Sequence, residues 1–220
     1  MAITWKLSEI RAEARRLAAL VSTDSEYTDA VMNDLINNFY QNIFPDDVYV
    51  QELESWYTFD TAADDACEQA LPSSIRTIER PMTLKDSDDV ITKLDFYLDK
   101  AKFFALYPED TTDEDAERGT PIAALLYNRI VYLRPKADEV YTFKAASKIK
   151  PYALSADTSV PLDVRWGPAI AHGVAVYIKN RGSDFEAALE KDTVYQALII
   201  RINRRDLIQK TQSSRTKPRF

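Results

Sequence analysis

At 220 residues, with 45% hydrophobic and 29% charged residues, the chain has the composition of a soluble globular protein, long enough for one elongated domain or two small ones. A single cysteine, Cys67, excludes an internal disulfide; with one histidine, His172, and four glycines it also excludes most metal-ligand sets, catalytic triads and glycine-rich phosphate loops. The net charge of −7 is unevenly spread: residues 201–220 hold seven bases against one acid, a net of +6, which leaves −13 for residues 1–200.

No apolar run approaches the roughly 20 residues that cross a bilayer. Met1-Ala2-Ile3-Thr4-Trp5-Lys6 lacks an apolar signal core, so the protein is expected to stay where it is made. Leu7, Ile10, Ala14, Leu17 and Val21 form one apolar stripe and predict a helix over 7–21, with Glu9, Arg11, Glu13, Arg15 and Arg16 mostly off it. After the polar break at 22–25, a second helix is expected from an N-cap at Thr28 to Phe44, where Pro45 ends it. Val31, Leu35, Asn38 and Phe39 mark one flank, and Ile36, Tyr40 and Ile43 the other. A short polar loop between two helices predicts antiparallel packing.

From Val48 the period changes. Val48-Tyr49-Val50 and residues 55–60 are rich in aromatic and β-branched residues and read as strands, followed by a loop from Thr61 to Cys67. Residues 74–79 read as another strand, closed by Pro81, and 85–89 as a charged turn. Residues 95–106 fit both periods; a strand to Leu98 and a short helix from Asp99 to Tyr107, stopped by Pro108, are expected. Glu109 to Glu117 carries six acids without a base, the pattern of a solvated loop, and lacks the glycine turn of a cation-binding loop. Residues 120–147 predict a β-meander, with Asn128-Arg129 as a two-residue turn between strands 123–127 and 130–134, and a strand over 139–144 with one wet face.

A return linker, 150–161, leads to two more helices, 162–181 and 184–209. Ile170, Val174 and Tyr177 mark the apolar face of the first, which can begin at Pro168; Tyr195, Leu198, Ile199 and Ile202 mark that of the second. Between them Gly182 is expected to take the left-handed conformation, and Ser183 with Glu186 to form a capping box. The order of elements predicts an α+β fold: an antiparallel helical bundle built from the N- and C-terminal helices (1–47 and 151–209), an inserted β-rich section (48–150) and a basic extended tail (210–220).

Catalytic vocabulary is thin, and no catalytic, cofactor or metal site is expected. His172 sits in an apolar helix and is expected to pack against Trp166 or a backbone carbonyl. Cys67 lies among Asp64, Asp65 and Glu68, which raise a thiol pKa and dull it. The pairs Asp46-Asp47, Asp64-Asp65 and Asp88-Asp89 lie in turn-like stretches with no predicted cleft. The 12 tyrosines read as core or interface material. The basic end admits three readings: a phosphate grip on DNA, a protein contact, or a frayed terminus. As a protein contact, Arg205, Lys210, Arg215, Lys217 and Arg219 would meet carboxylates of a partner, while Phe220 fills a pocket. The acidic body opposes the DNA reading.

Several stretches together resemble the head-to-tail connector (adaptor) proteins of tailed bacteriophages. They are Leu7-Ser8-Glu9-Ile10-Arg11, the run Asp34 to Gln41 with Phe44-Pro45, Tyr57-Thr58-Phe59, Phe103 to Pro108, Gly119-Thr120-Pro121, and Tyr132-Leu133-Arg134-Pro135. A Trp166-bearing helix, the Gly182 break, a long helix and Arg215-Thr216 follow in order. The resemblance implies a non-enzymatic ring component of twelve subunits that docks under the portal protein at the virion neck after assembly in the host cytoplasm. It would offer a platform to tail or stopper proteins and let DNA pass through its channel without specific binding, with no membrane involved. Another neck or tail-terminator ring protein is the nearest alternative, and a DNA-binding accessory protein a more distant one.

Overall fold

The computed structural model describes residues 4–21, 24–62, 68–108 and 118–215, except for the side chains of 206–215. In chain order the elements are α1 (Leu7–Ala18), α2 (Asp29–Asn38), α3 (Phe44–Asp47), β1 (Glu54–Asp60), β2 (Glu68–Ala70), β3 (Ile75–Lys85), β4 (Ile91–Lys93), β5 (Asp95–Tyr97), α4 (Lys100–Leu106), β6 (Ala123–Tyr127), β7 (Ile130–Arg134), β8 (Thr142–Ile149), α5 (Gly167–Arg181) and α6 (Phe185–Arg215). The fold is mixed α+β and divides into two compact units, residues 1–53 with 150–220, and residues 54–149.

In the first unit α5 packs against α1, α2 and α6. Its buried positions are small: Gly167, Ala169, Ala171, Gly173 and Ala175 accompany Ile170, Val174 and Ile178. Small side chains let neighbours approach closely. A Cβ on Gly173 would stand 2.0 Å from Phe39 Cζ, and one on Gly167 2.3 Å from Trp5. Tyr177, expected on the apolar face, is exposed. The core face of α2 is Met32 and Ile36, continued by Phe39 and Tyr40, whereas Leu35 is half-buried and Val31 exposed.

Several boundaries depart from the sequence expectation, each for a physical reason. The α1 helix stops at Ala18 because Ala19 turns left-handed (φ 57°) and the N–H groups of Ala19 and Leu20 cap Arg16 and Arg15 carbonyls. Arg15, expected off the apolar stripe, is buried; its guanidinium donates to the carbonyls of Val21 and Tyr27 and to Asp29, so it organises the loop it faces. Pro45 does not end the second helix. A wide π turn, Phe39–Ile43, carries Phe44 N–H back to Phe39 O, and Pro45 then falls in the first turn of α3, where a missing N–H costs nothing.

Residues 48–50 are not a strand. Val48 and Val50 are buried and Tyr49 exposed, but the backbone pairs with a side chain: Tyr49 N–H donates to Asn203 Oδ1 (2.9 Å), and Asn203 Nδ2 donates to Asp47 O (3.0 Å). The expected helix over 162–181 begins with a short 3₁₀ turn, Val164–Trp166, capped by Asp163, before α5 starts at Gly167. The predicted extended tail is helical as far as Arg215, since no glycine or proline interrupts the chain before Pro218.

The break before α6 is built differently from the expectation. Gly182 has φ −77°, and Ser183 is the left-handed residue at φ 59°. Asp184 N–H bonds Lys179 O and Ser183 N–H bonds Asn180 O, and Asp184, which accepts from Ala187 N–H, takes the capping role assigned to Ser183. A Cβ in this conformation is strained, so Ser183→Gly is expected to raise unfolding free energy by about 0.5–1 kcal/mol in a denaturant titration.

The second unit contains two four-stranded sheets, ordered β1-β8-β3-β4 and β2-β7-β6-β5, all antiparallel except the β5/β6 pair. Tyr57, Ile78, Met82, Leu84, Phe143 and Ala145 of one sheet and Ala124, Val131 and Leu133 of the other form one core. The expected meander is split: β6 and β7 pair around Asn128-Arg129, whereas β8 joins β1 and β3 in the other sheet and starts at Thr142, not 139. Strand β3 runs through Pro81. Its ladder steps from Glu79↔Ala146 to Met82↔Ala145, so Arg80 and Pro81 stand outside the register and no ladder bond needs a proline N–H. The edge strands β2 and β4 were not expected. The acidic run 109–117 and Cys67 lie outside the described residues.

Candidate functional site

The most site-like feature is a groove in the first unit, enclosing about 350 Å³. Four separate segments build it: Trp5 ahead of α1, Val50 and Glu52 ahead of β1, residues 163–169 at the start of α5, and Leu198, Arg201, Ile202 and Arg205 of α6. Trp166 is anchored from below by Phe44, with ring centroids 5.3 Å apart.

Asp163 fixes one rim. Its carboxylate accepts from Arg165 N–H (2.9 Å) and from Arg165 Nε (2.7 Å), while the same guanidinium lies 3.8 Å from Glu52. Burial pushes the Asp163 carboxyl up, but the Arg165 hydrogen bonds and charge, with a smaller pull from Arg205, hold it below the usual carboxylate range. On α6, Arg201 and Arg205 are exposed one turn apart, and neither forms an ion pair among the described residues.

Of the residues expected to contact a partner, Arg205 is on this groove. Lys210 and Arg215 lie on the α6 backbone with side chains not described, and Lys217, Arg219 and Phe220 lie outside the described residues. Sequence reasoning missed Trp5, Glu52, Asp163 and Arg165. Only the Asp163-Arg165 spacing hinted at a local pair, and nothing in the sequence joins segments more than a hundred residues apart.

Among the described residues no group of three or more His, Cys, Asp and Glu side chains is placed to hold a metal ion. Asp47 is engaged by the Tyr195 hydroxyl (2.5 Å), whose pKa burial and that carboxylate both push up. Asp89 pairs with Lys85 at the end of β3.

His172 is half-buried with Nδ1 lacking a hydrogen-bond partner. Burial lowers its pKa, with Lys191 and Arg16 adding to the effect and Glu13 opposing it. Below about pH 6.5 the unfolded chain therefore takes up a proton that the folded chain resists, so this contribution to stability falls as pH drops through that value. His172→Gln is expected to flatten the change in urea midpoint between pH 7 and pH 5.5, while the contributions of the depressed carboxyls Glu13, Asp163 and Asp184, lost at lower pH, remain.

No helix among the described residues is long and apolar enough to cross a membrane. Compared with protein-family models and with curated proteins, the chain matches none.

Proposed function

We propose that the protein is a structural, non-enzymatic head-to-tail adaptor of a bacteriophage virion. It docks under the portal as a ring of twelve subunits, lines the DNA channel and offers the platform for tail or stopper proteins. In this reading the N- and C-terminal helices form the antiparallel bundle that carries the inserted β-rich section, and Arg205, Lys210, Arg215, Lys217, Arg219 and Phe220 contact the portal or a neighbouring subunit. Assembly takes place in the host cytoplasm, and the finished ring resides in the virion neck.

The observation that carries the reading is the placement of charge. Helix α6 carries Arg201 and Arg205, without ion pairs among the described residues, beside an apolar groove, and its exposed Phe185, Leu189 and Ile200 add uncovered apolar surface, in a chain that is otherwise acidic. An acidic channel wall repels phosphates and lets DNA slide. The ordered sequence signatures described above supply the family, and the thin catalytic vocabulary favours a structural role.

The test is mass measurement of the purified protein alone and mixed with portal rings. A monomer that becomes a twelve-fold ring on the portal supports the adaptor; a ring formed alone supports a neck or tail-terminator component. A DNA affinity that falls steeply with salt would favour the DNA-binding reading, to which the exposed Arg201, Arg204 and Arg205 also lend themselves. Deleting residues 211–220 is expected to shift the thermal midpoint by less than about 1 °C and to abolish attachment to the portal, because exposed ion pairs give at most about 1 kcal/mol each and act through repetition around the ring. Attachment of the truncated protein at full strength would remove the tail from the interface.

A further inference from the structure

The groove on α6 has two properties that no described residue of its own unit answers. Its lining is largely apolar, with Val50, Val164, Pro168, Leu198 and Ile202, and its volume of about 350 Å³ falls within the range of sites that hold a ligand. Its charges are also sorted. Arg165 is already engaged by Asp163 and Glu52, whereas Arg201 and Arg205, the latter acting on Asp163 only through its charge, form no ion pair among the described residues.

The geometry points to a docking site for an acidic segment of a partner protein, one that seats a single large apolar side chain in the groove and sets two carboxylates on Arg201 and Arg205. Residues four apart on a helix present Cβ atoms about 5–6 Å apart. In an extended peptide, side chains two residues apart share a face and lie about 6.6 Å apart, so alternate acids match the arginine pair. Arginine is suited to this because its planar fork takes a carboxylate bidentately. A nucleic-acid strand fits less well, because the apolar lining has no counterpart in a sugar–phosphate backbone, whereas a peptide supplies an apolar side chain beside its acids. The inference stands apart from the adaptor reading, since it needs neither a ring nor a portal, and either can fail alone.

The experiment uses the full chain and a fluorescein-labelled peptide, Phe-Ser-Glu-Ser-Glu, followed by anisotropy, with tryptophan emission of a Trp56→Phe variant, which leaves Trp5 and Trp166 at the groove, as a second readout. Saturable binding is expected, with a change in that emission. The double variant Arg201→Glu/Arg205→Glu should weaken it by about tenfold or more, two lost ion pairs together approaching one decade. Both arginines are exposed, so the variant should keep the parent's circular dichroism and melting curve. Replacing the peptide's phenylalanine with serine should weaken binding by about tenfold as well, the loss of one buried aromatic ring. Leu198→Trp, which fills the groove from a half-buried position, should weaken the phenylalanine peptide and leave the serine peptide unchanged. The proposal is overturned if the peptide does not bind at millimolar concentration, if the charge-reversed variant binds it equally, if the serine peptide binds as well as the parent, or if oligothymidylate displaces the peptide at equal concentration.

Discussion

Replacing Gly173 with leucine is expected to leave the helical unit unfolded, and even alanine should cost stability at a position where alanine ordinarily helps. A glycine-to-alanine change inside a helix normally gains about 1 kcal/mol. Here the new Cβ would stand 2.0 Å from Phe39 Cζ and 2.6 and 2.7 Å from its Cε atoms, so the ring must leave its seat. That seat is an edge-on contact with Tyr195, centroids 5.7 Å apart, and a tilted one with Phe44 at 6.5 Å. Overpacking of a filled core costs about 1–3 kcal/mol, and a disrupted aromatic pair about 0.5–1.5 kcal/mol more. The sum exceeds the gain in propensity, so Gly173→Ala should lower the unfolding free energy by about 1–3 kcal/mol. Phe39→Leu placed in the same chain should recover part of that loss, and a double-mutant cycle read from urea midpoints measures the coupling. Additive losses would mean that the two side chains do not share the space.

Ile36→Asp should also abolish the fold of this unit, whereas Leu35→Asp should leave it standing. Ile36 has 0% exposure on a helix that packs against α1 and α5, and an unpaired carboxylate there costs several kcal/mol out of a total stability of about 5–15 kcal/mol. Leu35, one residue away, is half-buried and lets its carboxylate reach water. Ile199, 5% exposed on α6, should behave like Ile36. Far-UV circular dichroism with size exclusion separates the outcomes. A folded, soluble Ile36→Asp protein would place the core on the other flank of α2.

How much of this was legible in the sequence depends on whether the deciding contact was local. The Asn128-Arg129 turn was legible because both residues take positive φ (51° and 61°) in a two-residue hairpin, and asparagine tolerates that conformation. The Thr28 cap was legible because the contact is local, its hydroxyl accepting from the N–H three residues on; Asp99, expected as the first residue of a helix, instead caps α4 in the same way. Val48-Tyr49-Val50 misled because the alternation of burial is real, but the hydrogen-bonding partner is Asn203, about 150 residues away and not a strand. Strands β2 and β4 were hidden because their three residues are almost wholly exposed and show no apolar alternation. Pro81 and Pro45 misled because each breaks a ladder only where that ladder is needed, and a register shift or a π turn had removed the need. The groove was illegible as a site. Its arginines could be counted, but that Arg165 is occupied, while Arg201 and Arg205 form no ion pair among the described residues, depends on Asp163 and Glu52 meeting Arg165 in space.

The linker at 150–162 has a consequence for the order of events during synthesis. Asn37 holds Leu154 by two hydrogen bonds, one in each direction, Gln41 donates to Pro151 O, Leu162 N–H donates to the Tyr40 hydroxyl, and Arg11 reaches Asp157. Every one of these ties spans more than a hundred residues. The helices made first therefore leave the ribosome with Met32, Ile36, Phe39 and Tyr40 uncovered, and remain so until residues beyond 166 emerge. At about 5–20 residues per second that delay is on the order of ten seconds. Residues 54–149, by contrast, are contiguous and can close their two sheets while the earlier helices wait. The nascent chain thus carries an unsatisfied apolar face while residues 41–166 are being made. It is the last-made helices, α5 and α6, that commit the first-made ones to their final form.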